Sequence, residues 1–147
     1  MPVPATIPIA HEPGSRTATI GRYADGQFLA TVTYAFPEGY RPDDGWEEHK
    51  RLYAVLHTFD AAGRYRDSEI RCAGTWAEGA ELDQAQAYLD KLLSALEGRT
   101  TGDISVRPFR LAVEGVVFGL IVEDDDWVEL YPDRLGFGEP WDGSYDA

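Results

Sequence analysis

Few side chains in this 147-residue chain are placed to do chemistry. Histidine occurs at His11, His49 and His57, and the single cysteine is Cys72. An acid–base or zinc centre needs such groups to converge, and zinc ligands commonly recur at i, i+2 or i+4. Only His49 has such neighbours, Glu47 and Glu48. His11 falls among prolines, and His57 falls in mid-strand, where a packed imidazole with a hydrogen-bond partner is expected. Cys72 sits in Ile70-Arg71-Cys72-Ala73 without a basic or histidine neighbour, so it reads as a small buried hydrophobe rather than an activated thiolate. Glu123-Asp124-Asp125-Asp126 offers hard oxygen ligands, but it lacks the spaced carboxylates and distal glutamate of a calcium loop and reads as a solvated turn. Glycine-rich phosphate loops, a Gly-x-Ser-x-Gly elbow and a marked carboxylate pair are all missing. The sequence therefore assigns no catalytic residue, no metal and no cofactor.

What stands out instead is where the acid lies. Between Leu111 and Ala147 there are ten carboxylates against one base, Arg134, and this stretch accounts for most of the net charge of −13. The same stretch carries Trp127, Tyr131, Phe137, Trp141 and Tyr145. Carboxylates steer the approach of a basic partner, and rings supply the contact energy. The candidate partner face is Asp124, Asp125, Asp126, Trp127, Glu129 and Tyr131 together with Trp141, Asp142 and Tyr145. Trp141, in an irregular acidic segment, either folds back to pin that segment or stays available to the partner. A basic protein surface is the expected partner, since so acidic a chain repels phosphate backbones and anionic lipid.

The elements that must position these residues read as one α+β domain over residues 1–147. Residues 1–16 form a proline-rich arm in which Thr6-Ile7-Pro8-Ile9 is suited to a sheet edge. Thr17–Tyr23 and Gln27–Phe36 make a hairpin around Ala24-Asp25-Gly26, and the second run predicts a sheet with one packed face. A loop spans Pro37–Trp46. Lys50–Phe59 is apolar on both faces and predicts a covered central strand, paired through Asp60-Ala61-Ala62-Gly63 with a more exposed Arg64–Ala73. One amphipathic helix, from about Glu81 to Glu97, buries a stripe of Leu82, Ala85, Leu89, Leu92, Leu93 and Leu96 on the sheet. Three more strands follow, Asp103–Val113, Val116–Glu123 and Trp127–Tyr131, with Pro108 breaking the first or placing it on an edge. The expected order is thus ββββ-α-βββ, about seven strands in a mostly antiparallel sheet, ending in an irregular tail over residues 132–147. One thiol, no signal-like N-terminus and no apolar run near the ~18 residues of a membrane span point to a cytoplasmic protein.

Several segments resemble, as a set, a family of small actinobacterial proteins commonly labelled formate hydrogenlyase regulatory protein HycA. They are Ile20–Phe28, Lys50–His57, Gly102–Phe109, Leu130-Tyr131-Pro132-Asp133 and Pro140-Trp141-Asp142-Gly143. The resemblance covers nearly the whole chain. It implies a non-enzymatic, cytoplasmic accessory or regulatory protein, and it transfers no catalytic residue. Two other readings stand beside it. One is an immunity protein that covers the phosphate-binding cleft of a basic nuclease toxin. The other, ranked last, is a small hydrolase with a carboxylate- or Cys72-based site.

Overall fold

The run Arg51–Phe59 shows best why the chain folds as it does. Its apolar side chains occupy both parities, so each face of the strand has to be covered. The computed structural model describes residues 2–37 and 45–146. Among these, eleven strands and two helices follow in the order β1 (Ile7–Ile9), β2 (Ile20–Tyr23), β3 (Gly26–Ala35), α1 (Trp46–His49), β4 (Arg51–Phe59), β5 (Tyr65–Thr75), α2 (Leu82–Ser94), β6 (Thr100–Thr101), β7 (Ile104–Val106), β8 (Phe109–Val113), β9 (Val116–Asp124), β10 (Trp127–Tyr131) and β11 (Leu135–Phe137).

Every strand pair is antiparallel. A five-stranded sheet has the order β5-β4-β3-β2-β6, a four-stranded sheet the order β11-β10-β9-β8, and β1 pairs with β7 alone. On one face of the five-stranded sheet, Phe28, Ala30, Ala54 and Leu56 pack against Leu89 and Leu93 of α2. On the other face, Ala35, Tyr53 and Val55 meet Val116 and Phe118 of the four-stranded sheet. Leu29 and Phe59 extend that contact to Leu120, Val128, Leu130, Leu135 and Phe137. The molecule is therefore a three-layered α+β domain, helix on sheet on sheet. Gln27, fully buried, ties β3 to β7: its Nε2 donates to the Ser105 carbonyl at 3.0 Å and its Oε1 accepts from the Ser105 N–H at 2.8 Å.

The hairpins fall where turn chemistry puts them. Glu114 and Gly115 adopt positive φ, 54° and 79°, as a two-residue turn between β8 and β9 requires. Asp60 organises its own turn by accepting the N–H groups of Ala62 and Arg64, both at 2.9 Å, on its carboxylate. β4 is covered on both faces and its partner β5 is the more exposed strand, as expected, and β5 forms the outer edge of the sheet.

Four expectations need correction. β3 is packed on both faces rather than one, because α2 and the second sheet clasp it from opposite sides. Leu82 does not join the buried stripe of α2; it stands 54% exposed at the first helical position, where a side chain leans back beyond the layer below. The C-terminal segment is not wholly irregular, since β11 pairs with β10 and Gly136 bridges Asp146. The strands among the described residues number eleven, with Pro108 splitting the first late run into β7 and β8. The arm contributes β1, whose Ile7 and Ile9 are fully buried. The predicted loop at Pro37–Trp46 lies, over 38–44, outside the described residues, and Trp46–His49 is a single helical turn.

Candidate functional site

The hairpin joining β9 and β10 builds the acidic face. Asp124 pairs with Trp127 across a turn at Asp125 and Asp126, and a register shift follows between Trp127 and Val128. All three aspartates are exposed. Asp124 Oδ1 accepts the Asp125 N–H at 2.8 Å, and the Asp125 carbonyl accepts the Val3 N–H at 3.1 Å, so the arm runs beside the tip. Among the described residues, no group of three or more His, Cys, Asp or Glu side chains is arranged to hold a metal ion.

Period-two geometry then sorts the next residues. Val128 and Leu130 point into the core, so Trp127, Glu129 and Tyr131 share the outer face. Trp127 lies flat on two glycines. A Cβ at Gly136 would stand 2.0 Å from its Cζ2, and one at Gly138 would stand 2.7 Å from its Cε3. The ring is held half-buried at the surface by a floor that only glycine provides. Beside it, Arg134 Nε donates to Glu129 Oε1 at 2.9 Å, and the guanidinium sits 5.2 Å from the Tyr131 ring centroid. Tyr131 donates its hydroxyl to Glu123, and that bond to a carboxylate, with some burial, pushes its pKa up to about 12. Tyr131 is thus a locked hydrogen-bond donor at any physiological pH. Substituting Gly136→Ala is expected to expel Trp127 from its seat, cost about 1–3 kcal/mol and shift tryptophan emission to the red. Unchanged emission together with unchanged stability would contradict this seating.

The rest of the predicted set lies elsewhere. Trp141 and Tyr145 pack against the inner core cluster that contains Val128, Leu130 and Phe137, on the opposite side of β10 from Trp127. Tyr145 stands 6.5 Å from Phe137, ring to ring, and its hydroxyl accepts the Arg16 N–H at 3.3 Å. The indole Nε1 of Trp141 is buried with no acceptor among the described residues. Asp142 accepts the N–H and hydroxyl of Ser144, which hold its carboxyl below the ordinary range. These residues fasten the tail to the core. The structure brings together Asp124, Asp125, Asp126, Trp127, Glu129 and Tyr131, with Glu123 added, and separates them from Trp141, Asp142 and Tyr145.

The groups with catalytic potential are also accounted for. His57 is buried under Phe109, 4.8 Å between ring centroids, and shares a 2.6 Å hydrogen bond between Nδ1 and Ser68 Oγ. Ser68 Oγ is in turn 2.8 Å from the Tyr65 hydroxyl. Burial lowers the His57 pKa to about 3, so the imidazole is neutral and a poor proton acceptor at pH 7. Cys72 is half-buried against the core, with its Sγ 3.7 Å from the Gly74 carbonyl. Sequence reasoning missed the His57–Ser68–Tyr65 chain, for which cross-strand register was the signal, since β4 residue 57 faces β5 residue 68. It also missed an apolar groove of about 330 Å³ beside Tyr131, lined by Tyr34, Phe36, Val117 and Pro132. No model of a known protein family, no curated protein and no solved structure matches the chain.

Proposed function

We infer that the chain is a binding module, an accessory or regulatory protein of the cytoplasm rather than an enzyme, that receives a basic protein surface on the outer face of the β9–β10 hairpin. One observation carries this reading. Trp127 and Tyr131 are held rigidly at the surface, one by its glycine floor and one by Glu123, directly beside three exposed aspartates. Rigid rings lose little entropy on binding, and the carboxylates supply steering. Glu129 and Glu123 are already engaged within the face, which leaves the tip as its charged part. A nuclease whose phosphate-binding cleft is covered by the tip is the immunity form of the same reading, since clustered carboxylates present charge much as phosphates do.

The test is affinity purification from the native host at low and at high salt, with the wild type and with Asp124, Asp125 and Asp126 all changed to Asn. The expected partner is captured at low salt, is lost at high salt, and associates about tenfold more slowly with the triple variant. Capture that survives both changes assigns binding to another face. Inhibition of a nuclease by the recovered complex selects the immunity form.

A further inference from the structure

Far from the acidic tip in sequence, three aromatic rings among the described residues surround one ammonium. Tyr34 of β3, Trp46 at the start of α1 and Trp76 just beyond β5 stand around Lys50, with Nζ 4.8 Å, 5.7 Å and 4.6 Å from their respective ring centroids. All three distances lie within the ~6 Å over which a ring face attracts a cation. The rings also brace one another: Tyr34 meets Trp76 edge-on at 5.8 Å, and Trp46 meets Trp76 at 6.1 Å. The backbone beneath is tied. Trp76 N–H donates to the Lys50 carbonyl at 2.8 Å, Ala77 N–H to the Glu47 carbonyl at 2.9 Å, and Lys50 N–H to the Trp46 carbonyl at 3.0 Å. Trp76 is 46% exposed, so the box opens to solvent on that side.

We propose that this box is a binding site for a methylated ammonium cation, and that Lys50 is its internal stand-in. The chemistry favours such a ligand over the occupant. A primary ammonium carries three N–H donors and is strongly hydrated, and ring faces do not replace that hydration. A trimethylammonium group has no donor to satisfy, sheds its weaker hydration readily, and presents methyl groups to all three rings. The net charge of −13 raises the local concentration of any cation near the surface. Lys50 acts as a tethered competitor, lowering apparent affinity by the fraction of time it fills the box. A trimethyllysine side chain of a polypeptide and a free quaternary ammonium such as choline share this chemistry. Through Tyr34 the box adjoins the groove beside Tyr131, but it shares no residue with the acidic face, and either assignment can fail without the other.

The experiment uses choline and a trimethyllysine peptide as probes. In the wild type, the Lys50 side-chain methylene resonances, shifted upfield by the three rings, are expected to move toward ordinary values as either probe saturates the box. Lys50→Ala is expected to bind the probes about tenfold more tightly, as follows if Lys50 fills the box about nine-tenths of the time. Adding Trp76→Ala to that variant abolishes binding. Uptake of both probes assigns the site to a free quaternary ammonium, and uptake of the peptide alone assigns it to a methylated polypeptide. The proposal is overturned if a cooperatively folded Lys50→Ala protein takes up neither probe. Should that variant fail to fold, wild-type Lys50 resonances that stay fixed under both probes overturn it equally.

Discussion

Acidification is expected to unfold this protein chiefly through His57. The unfolded chain binds a proton at an imidazole of pKa 6.5, whereas burial holds the folded imidazole neutral until about pH 3. Between these values the unfolded state carries one more proton, so stability falls as the pH falls. Above pH 6.5 the group contributes nothing. The expected loss is about 3 kcal/mol by pH 4 and approaches about 5 kcal/mol below pH 3, a large part of what holds a domain of this size together. Burial is the cause, because the ring lies among Phe109, Ser68 and the strands beside it, where a charged imidazole loses its hydration. Denaturant melts from pH 7 to pH 4 on the wild type and on His57→Gln provide the measurement. The variant should show a dependence shallower by up to about 1.4 kcal/mol per pH unit. Parallel curves for the two proteins would mean that His57 is accessible to protons in the folded state.

Gly119→Ala is expected to be among the most damaging small substitutions. Gly119 lies in the middle of β9 at φ +137°, a conformation that L side chains rarely adopt. A Cβ there would stand 2.2 Å from the Phe109 carbonyl oxygen and 2.9 Å from Arg110 Cα, both backbone atoms of β8. No rotamer relieves a clash with backbone, so β8 has to separate from β9 or the backbone has to take up the strain. Either response costs about 3 kcal/mol or more, and Tm should drop by about 6–12 °C. Phe109 sits on His57, Phe59 and Tyr65, so the disturbance reaches the centre of the molecule. A variant melting within about 2 °C of the wild type would show that the two strands are not packed so closely.

How much of this was readable beforehand depends on local periodicity. The two-sided apolar run of β4, the turns at Asp60–Gly63 and Glu114-Gly115, and the Ala85–Leu89–Leu93 stripe carry repeating or positional signals that survive without tertiary context. The strands β1, β7 and β11 are three residues long, too short for a period, and exist because a neighbour pairs with them. The same distinction divides the candidate site. Alternation along Trp127–Tyr131 puts Trp127, Glu129 and Tyr131 on one face, which they share, while nothing local decides whether that face is core or surface. Trp141 and Tyr145 follow an irregular stretch in which no parity is defined, and tertiary packing turned them inward. The box around Lys50 draws on three separate chain segments, and only the packing of β3 beside β4 and β5 brings Tyr34 to Trp76.

The outer strand β5 carries one further consequence. Eleven residues of edge backbone present a row of amide donors and acceptors on which a foreign chain could add itself, the route by which β-rich proteins clump into fibrils. Arg66, Asp67, Glu69 and Arg71 place charge of both signs along that row, and two register breaks against β4 bend it out of flatness. A copy approaching edge to edge therefore meets mismatched charge on a curved template, which protects the molecule along this open edge.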